Sequence, residues 1–427
     1  MDKLVVYGGA RLSGTMTVSG AKNAALPMLA ATLLSKNHPV ILHNVPHLRD
    51  VTTMLALLAE LGAKTMLCEK HSLQIDTRAL HSSTAPYDLV KQMRASILVL
   101  GPLLARFGQA KVSLPGGCTI GQRPVDQHLQ ALERLGAVFE LKDGYIEGHV
   151  AGRLQGAPVT FDRVTVTGTE NLMMAAALAE GRTEIYNAAC EPEIVDLANC
   201  LNGMGARIQG AGGHTMVIDG VDALCQVKPH TILADRIEAG TYLAAAAMTR
   251  GDVTVQGITP DILHSTLSLL EGAGAQLTSK AASIRCQMSG QLQSVDVNTA
   301  VYPGFPTDMQ AQLMVLNAVA NGSARVTETI FENRFMHVQE LVRMGADIVV
   351  DGHTAIVKGV PRLVGAQVMA TDLRASACLV LAGLVAEGQT VIDRIYHLCR
   401  GYERIEEKLQ SLGAKVGRLN DAFEVIS

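Results

Sequence analysis

Eight cysteines are scattered through 427 residues without a single C-x-x-C pair. That spacing points to no metal site and fits a reduced, metal-free, cytoplasmic protein. No apolar run approaches the roughly 20 residues that a bilayer crossing needs. The positive mean hydropathy is therefore expected to reflect buried helices, with no membrane insertion. The first residues lack a charged n-region, an apolar stretch and a cleavage site, so export is not expected. Acidic and basic residues nearly balance at a formal net charge of −4, and no basic stripe offers a footprint for nucleic acid. No Gly-Lys-[Ser/Thr] closes a tight glycine loop, and no dinucleotide fingerprint is present. No cofactor and no metal are expected.

What the chain does have is repetition. The phrase Leu-x-x-[Leu/Met/Ala]-Gly-Ala occurs six times, with glycines at Gly62, Gly136, Gly205, Gly274, Gly345 and Gly413, at intervals of 68 to 74 residues. A fixed period of that length identifies one module written six times. Each copy opens with a small-residue apolar helix, at 24–34, 96–106, 172–178, 239–248, 309–320 and 375–386. Five of these are expected to stop at Gly108, Gly181, Gly251, Gly322 and Gly388, and the first at Asn37, where a left-handed residue ends a helix at little cost. A short β-branched strand follows, then a loop, an amphipathic helix ending at the Gly-Ala phrase, and another strand. This alternation predicts an α/β protein. Apolar residues nearly all round the first helix of each copy place it inside its module.

The length exceeds one ordinary domain, and six modules divide as three and three. The polar, proline-containing stretch 226–234 is the expected joint. The expected domains are 22–233, and 1–21 together with 234–427, with a ligand cleft between them.

The helix starts carry polar residues: Lys22 and Asn23, Arg94, Glu170 and Asn171, Arg236 and Glu238, Asp308, Asp372 and Arg374. Helix N-termini favour anions. Three loops add reactive or charged groups: 114–124 with Gly116, Gly117, Cys118 and Arg123; 332–337 with Arg334 and His337; and 400–404 with Arg400 and Tyr402. Arginines from several loops directed at one ligand suit phosphate or carboxylate.

The stretches 19–27, the Pro-Gly-Gly-Cys loop with Arg123, 305–310, 331–337 and 372–376 together resemble the enolpyruvyl transferases that act on UDP-N-acetylglucosamine. The resemblance runs from end to end. It implies a two-domain inside-out α/β barrel of six βαβ-type modules, three per domain, a fold shared with 5-enolpyruvylshikimate-3-phosphate synthase. It also implies that the N-terminal strand segment packs with the C-terminal half. The implied reaction moves enolpyruvyl from phosphoenolpyruvate to the 3-hydroxyl of UDP-N-acetylglucosamine with release of phosphate, the first committed step of peptidoglycan precursor synthesis.

By the same resemblance, Cys118 delivers the proton to C3 of phosphoenolpyruvate and can hold it as a thioether adduct. A thiol suits the task, because cationic neighbours bring its pKa from about 8.5 towards neutrality. The bland alternative, a small core cysteine, fits poorly with flanking Gly116, Gly117 and Gly121, which read as a lid. Lys22, Asn23, Arg123, Arg374 and Arg400 correspond to the phosphoenolpyruvate ligands, with Lys22 and Arg400 counted as catalytic. Asp308 corresponds to the base facing the sugar 3-hydroxyl, although a first-turn carboxylate is an equally ordinary helix residue. Arg94, Arg123, Pro124, Val125, Asp126, Gln127, Arg163, Val164, Thr165, Val166, Asp308 and Ile330 correspond to the UDP-sugar contacts, with His128 and Arg334 close by.

Three positions depart from the pattern: Cys190 where arginine is common, Cys399 where an acid usually precedes Arg400, and Thr167 where glycine is frequent. Cys118 and the nucleotide-contact run argue against a shikimate-type transferase. The charge balance argues against an RNA 3′-phosphate cyclase. A catalytically silent UDP-sugar binder is the alternative outside enzymes.

Overall fold

Each Gly-Ala phrase ends a helix in the same way. All six glycines adopt left-handed φ, between 93° and 105°. In five copies the alanine N–H returns to the carbonyl of the phrase's leucine, as from Ala63 to Leu58 at 2.9 Å and from Ala346 to Leu341 at 3.0 Å. This closure satisfies a helix-end carbonyl and turns the chain into the next strand, and it explains why leucine, glycine and alanine recur at that spacing.

The computed structural model describes residues 2–69, 71–114, 125–419 and 425–426. The first helices of the modules are Lys22–Ala31, Leu100–Phe107, Val166–Ala176, Arg236–Met248, Gln310–Ala318 and Leu373–Val385. The second and fifth are preceded by the 3₁₀ turns Arg94–Val99 and Thr307–Met309. Four of the helices begin two to six residues before the apolar run, and in three of them a polar side chain, Thr165, Asp235 or Asp372, supplies the cap. The Oδ1 of Asp235 accepts from the N–H groups of Ile237 and Glu238, and that of Asp372 from Arg374 and Ala375. Capping of this kind is worth about 1 kcal/mol per helix. Gly108, Gly181, Gly322 and Gly388 have left-handed φ as expected, but after Met248 it is Arg250 (φ 52°), not Gly251, that does so. The carbonyl of Leu12 lies 2.4 Å from the place of a Cβ on Gly251, so this glycine serves close packing instead.

The six helices are almost wholly buried. Each module's sheet lies outside them, with the outermost strand, such as Lys64–Glu69, exposed along its length. The Gly274 module's sheet, for example, runs Gln276–Lys280, Ser283–Gln287, Asp252–Gln256, Ser13–Thr17. Its first three strands are local and antiparallel, while Ser13–Thr17 joins parallel from elsewhere in the chain. The same exchange recurs in every sheet: each module receives a parallel strand from outside its own hairpin, including His230–Thr231 beside Val40–His43. Lys3–Tyr7 lies antiparallel between Gln389–Asp393 and Lys415–Leu419 and completes the last sheet. The N-terminal strands therefore pack with the C-terminal half.

The described residues form two compact units, one within 20–233 and the other from 2–19 with 234 onward. Each has its own apolar core. Small residues let the buried helices approach closely; a Cβ on Gly101 would lie 2.4 Å from the carbonyl oxygen of Asn171. No helix among the described residues is long and apolar enough to cross a membrane.

Candidate active site

Cys118, Arg123 and Pro124 lie outside the described residues, as does the rest of the 115–124 loop. The remaining candidates fall into two groups, one in each unit.

In the 20–233 unit, Lys22 opens the first buried helix, and its Nζ lies 3.5 Å from Oδ2 of Asp50. Both side chains are nearly buried, so the carboxylate offsets the cost of keeping the ammonium charged. Asn23 follows on the same turn, and Arg94 opens the 3₁₀ turn at the next module's helix. Asp126, Gln127 and His128 form the first turn of the helix Asp126–Arg134. The side-chain oxygen of Gln127 accepts from the backbone N–H of Arg163 at 3.1 Å, joining that turn to the segment carrying Val164, Thr165 and Val166. Thr165 caps the helix Val166–Ala176 through its hydroxyl.

His128 is buried, and burial with the nearby charge of Arg94 lowers its pKa to about 4. The Asn171 amide is oriented by accepting from the N–H of Gly101 at 2.6 Å and donating to the carbonyl of Ile97. It also donates to Nδ1 of His128 at 3.1 Å. The imidazole proton must then reside on Nε2, 3.3 Å from the Thr167 hydroxyl. The Thr167 departure is thus occupied in holding a neutral histidine. Arg94, the 125–128 turn and the 163–167 segment come together here through His128 and Gln127. Glu170, on the same helix as Asn171, has a pKa well above the carboxylate range, because burial is reinforced by Glu193 and Glu191.

In the other unit, Asp308 lies in the turn Thr307–Met309. Its Oδ1 accepts from Arg334 at 2.7 Å and its Oδ2 from Nε of Arg374 at 3.1 Å. Both guanidiniums are buried, while Asp308 keeps 24% of its side-chain surface. Burial alone would weaken the charge on Arg374, yet the Asp308 carboxylate holds its pKa above the ordinary arginine value. The guanidinium lies over the Tyr402 ring at 5.4 Å, a cation–π contact. Arg400 belongs to the 3₁₀ turn Leu398–Arg400, two residues before Tyr402.

Several residues support the Asp308 carboxylate, of which the sequence singled out Tyr402, in the 400–404 loop, but not Thr241, Gln312 or Glu328. The Tyr402 hydroxyl meets Thr241 at 3.0 Å and Gln312 at 3.1 Å, and Gln312 also donates to the Asp308 carbonyl. Glu328, wholly buried, accepts from Thr299, Thr307, the N–H of Ile330 and the N–H of Phe331. It fixes both the Asp308 turn and Ile330. Thr307 in turn accepts from Arg334. Gln312 had a sequence signal, a polar residue inside an apolar helix; Glu328 had none, because a glutamate after a strand looks like any surface charge.

Of the other departures, Cys399 accepts from Arg418 at 3.5 Å, and Arg418 pairs with Glu406. Cys190 lies 3.5 Å from Nδ1 of His214, and burial raises its thiol pKa.

A carboxylate clamped by two arginines is suited to handling an anionic substrate and a hydroxyl proton. Comparison with known proteins bears on which. Two proteins named UDP-N-acetylglucosamine 1-carboxyvinyltransferase, from Coxiella burnetii strains Dugway 5J108-111 and CbuG_Q212, are each 59% identical over 421 residues, covering 98% of this chain and 96% of theirs. The enolpyruvyl transferase NikO from Streptomyces tendae superposes with a TM-score of 0.88 at 26% identity, covering 100% of this chain and 99% of its own. An EPSP synthase from Acinetobacter baumannii shares the fold at a TM-score of 0.77 and 16% identity, with 98% and 100% covered. The family model described as EPSP synthase (3-phosphoshikimate 1-carboxyvinyltransferase) matches residues 6–409, and with that match the chain belongs to the EPSP synthase family.

Proposed function

We propose that this protein transfers the enolpyruvyl group of phosphoenolpyruvate to the 3-hydroxyl of UDP-N-acetylglucosamine, releasing phosphate, as a cytoplasmic enzyme of peptidoglycan precursor synthesis. The observation that carries this reading is Asp308 held between Arg334 and Arg374 in a chain 59% identical to enzymes named for that transfer.

The chemistry follows from the groups. Two guanidiniums supply the counter-charge to the Asp308 carboxylate. With 24% of its side-chain surface exposed, the Asp308 carboxylate can accept the proton of the sugar 3-hydroxyl as that hydroxyl oxygen attacks C2 of phosphoenolpyruvate. At the same time the Cys118 thiol gives a proton to C3, which turns the vinyl carbon into a methyl group. In the second half C3 returns a proton, the C2–O bond to phosphate breaks, and the double bond re-forms. Lys22, Asn23, Arg123, Arg374 and Arg400 bind the carboxylate and phosphate of phosphoenolpyruvate. Arg374 is buried against Asp308, with Nη2 3.1 Å from Oδ2, and its fixed charge suits an anionic ligand. Arg94, Arg123, Pro124, Val125, Asp126, Gln127, Arg163, Val164, Thr165, Val166, Asp308 and Ile330 contact the UDP-sugar.

The test is phosphate release from phosphoenolpyruvate, with and without UDP-N-acetylglucosamine, in wild type and Cys118→Ser. Release that requires the UDP-sugar and falls in the variant is the expected result. Saturable UDP-sugar binding without any release from clean wild type would replace the enzyme with a silent binder.

A further inference from the structure

Every polar atom of Ser19 is engaged. Its hydroxyl donates to Oε2 of Glu403 at 2.7 Å and accepts from Nζ of Lys408 at 2.7 Å. Its N–H donates to Oε2 of Glu238 at 2.7 Å, and its carbonyl accepts from the N–H of Asp235 at 2.9 Å. Lys408 closes the ring by donating to Oε1 of Glu238 at 2.6 Å. Glu238 and Glu403 are both over nine-tenths buried. Two buried carboxylates and one ammonium around a single hydroxyl lose heavily if that hydroxyl goes, because charged groups would be left short of a partner.

Glu403 and Lys408 flank a constrained piece of chain. Arg404, between them, is held at φ 44°, a left-handed conformation that arginine adopts only when its surroundings enforce it. Upstream, Gly401 is packed so tightly that a Cβ would lie 2.4 Å from the Leu373 side chain. Tyr402 is tied to Thr241 and Gln312. The segment that begins at Arg400 is therefore gripped at Tyr402 on one side and at Glu403 on the other. Only the second grip comes from the N-terminal end of the chain.

We propose that Ser19, through Glu403 and Lys408, is a positioning residue for Arg400, so that the last residue before the chain leaves this unit sets the affinity for phosphoenolpyruvate. This rests on the reading of Arg400 as a ligand of that substrate.

Steady-state kinetics of Ser19→Ala, Ser19→Thr and Glu403→Gln, each in wild-type and Arg400→Ala backgrounds, test it. Ser19→Ala and Glu403→Gln are expected to raise KM for phosphoenolpyruvate about tenfold and to leave KM for UDP-N-acetylglucosamine nearly unchanged. Ser19→Thr, which keeps the hydroxyl, should stay close to wild type. In the Arg400→Ala background the effect of Ser19→Ala should vanish, since residues acting through one another are not additive. If Ser19→Ala does not fold, Glu403→Gln supplies the same readout. Equal changes in both KM values, or an undiminished effect in the Arg400→Ala background, would reduce the network to general stability and overturn the proposal. An unchanged KM for phosphoenolpyruvate in Arg400→Ala alone would instead remove the role of Arg400, and the proposal with it.

Discussion

The Nε of Arg374 donates to Oδ2 of Asp308 across 3.1 Å, and Nη2 of the same buried guanidinium lies 3.1 Å from that oxygen. One side of the group is committed to holding the carboxylate. Arg334 donates to the other carboxylate oxygen at 2.7 Å, so two buried guanidiniums share one counter-charge.

Asp308→Asn is therefore expected to do two things. Turnover should fall at least about 100-fold, because the amide cannot accept the hydroxyl proton. Stability should fall by about 2 kcal/mol, less than for a fully buried pair, since two buried cations lose their counter-charge. Turnover measurements and chemical denaturation on the same preparation check both. Full activity in the variant would remove Asp308 from the reaction.

Covalent modification tests Cys118, which lies outside the described residues. Prolonged exposure to fosfomycin with UDP-N-acetylglucosamine present should inactivate wild type and add one inhibitor mass at Cys118, read by peptide mass spectrometry. Cys118→Ser should remain unmodified. An unmodified and fully active wild type would count against the assignment.

Acid should destabilise the fold through His128. Its folded pKa of about 4 lies below the ordinary histidine value of 6.5. Between those values the unfolded chain binds the extra proton, so stability falls as pH drops through this window. The contribution is on the order of 3 kcal/mol when complete. His337, which burial also lowers to about 4, adds a second term of the same sign. Urea midpoints measured from pH 7 to pH 4 should decline less steeply in His128→Asn than in wild type. Parallel slopes would mean that His128 is not held neutral.

Gly345→Ala separates backbone conformation from space. At φ 93° the position is strained for any residue with a Cβ, yet nothing lies within 4 Å of where that Cβ would be. A loss of about 1 kcal/mol with unchanged kinetics is expected, measurable as a lower denaturant midpoint at constant m-value. A neutral substitution would mean that the repeat glycine is not needed for its left-handed turn.

Much of the candidate site is legible one residue at a time. Lys22, Arg94, Asp308 and Arg374 are polar residues at the mouths of apolar helices, and that contrast is local. The helix starts were drawn too late, because capping residues such as Asp372 are polar and fall outside an apolar pattern. The supporting roles of Glu328, Tyr402 and Ser19 are not legible locally, because their partners lie 21 to 384 residues away.

The chain's periodicity by itself determined six modules and buried first helices, since each follows from residue spacing within about 70 positions. The α/β class followed from the same alternation. Only the tertiary structure decided that each sheet borrows a parallel strand from outside its hairpin. It also decided that Lys3–Tyr7 completes the last sheet and that Arg334 and Arg374 grip one carboxylate. Strand pairing and charge pairing at long range depend on which surfaces the cores leave available, and that is known only once the helices have packed.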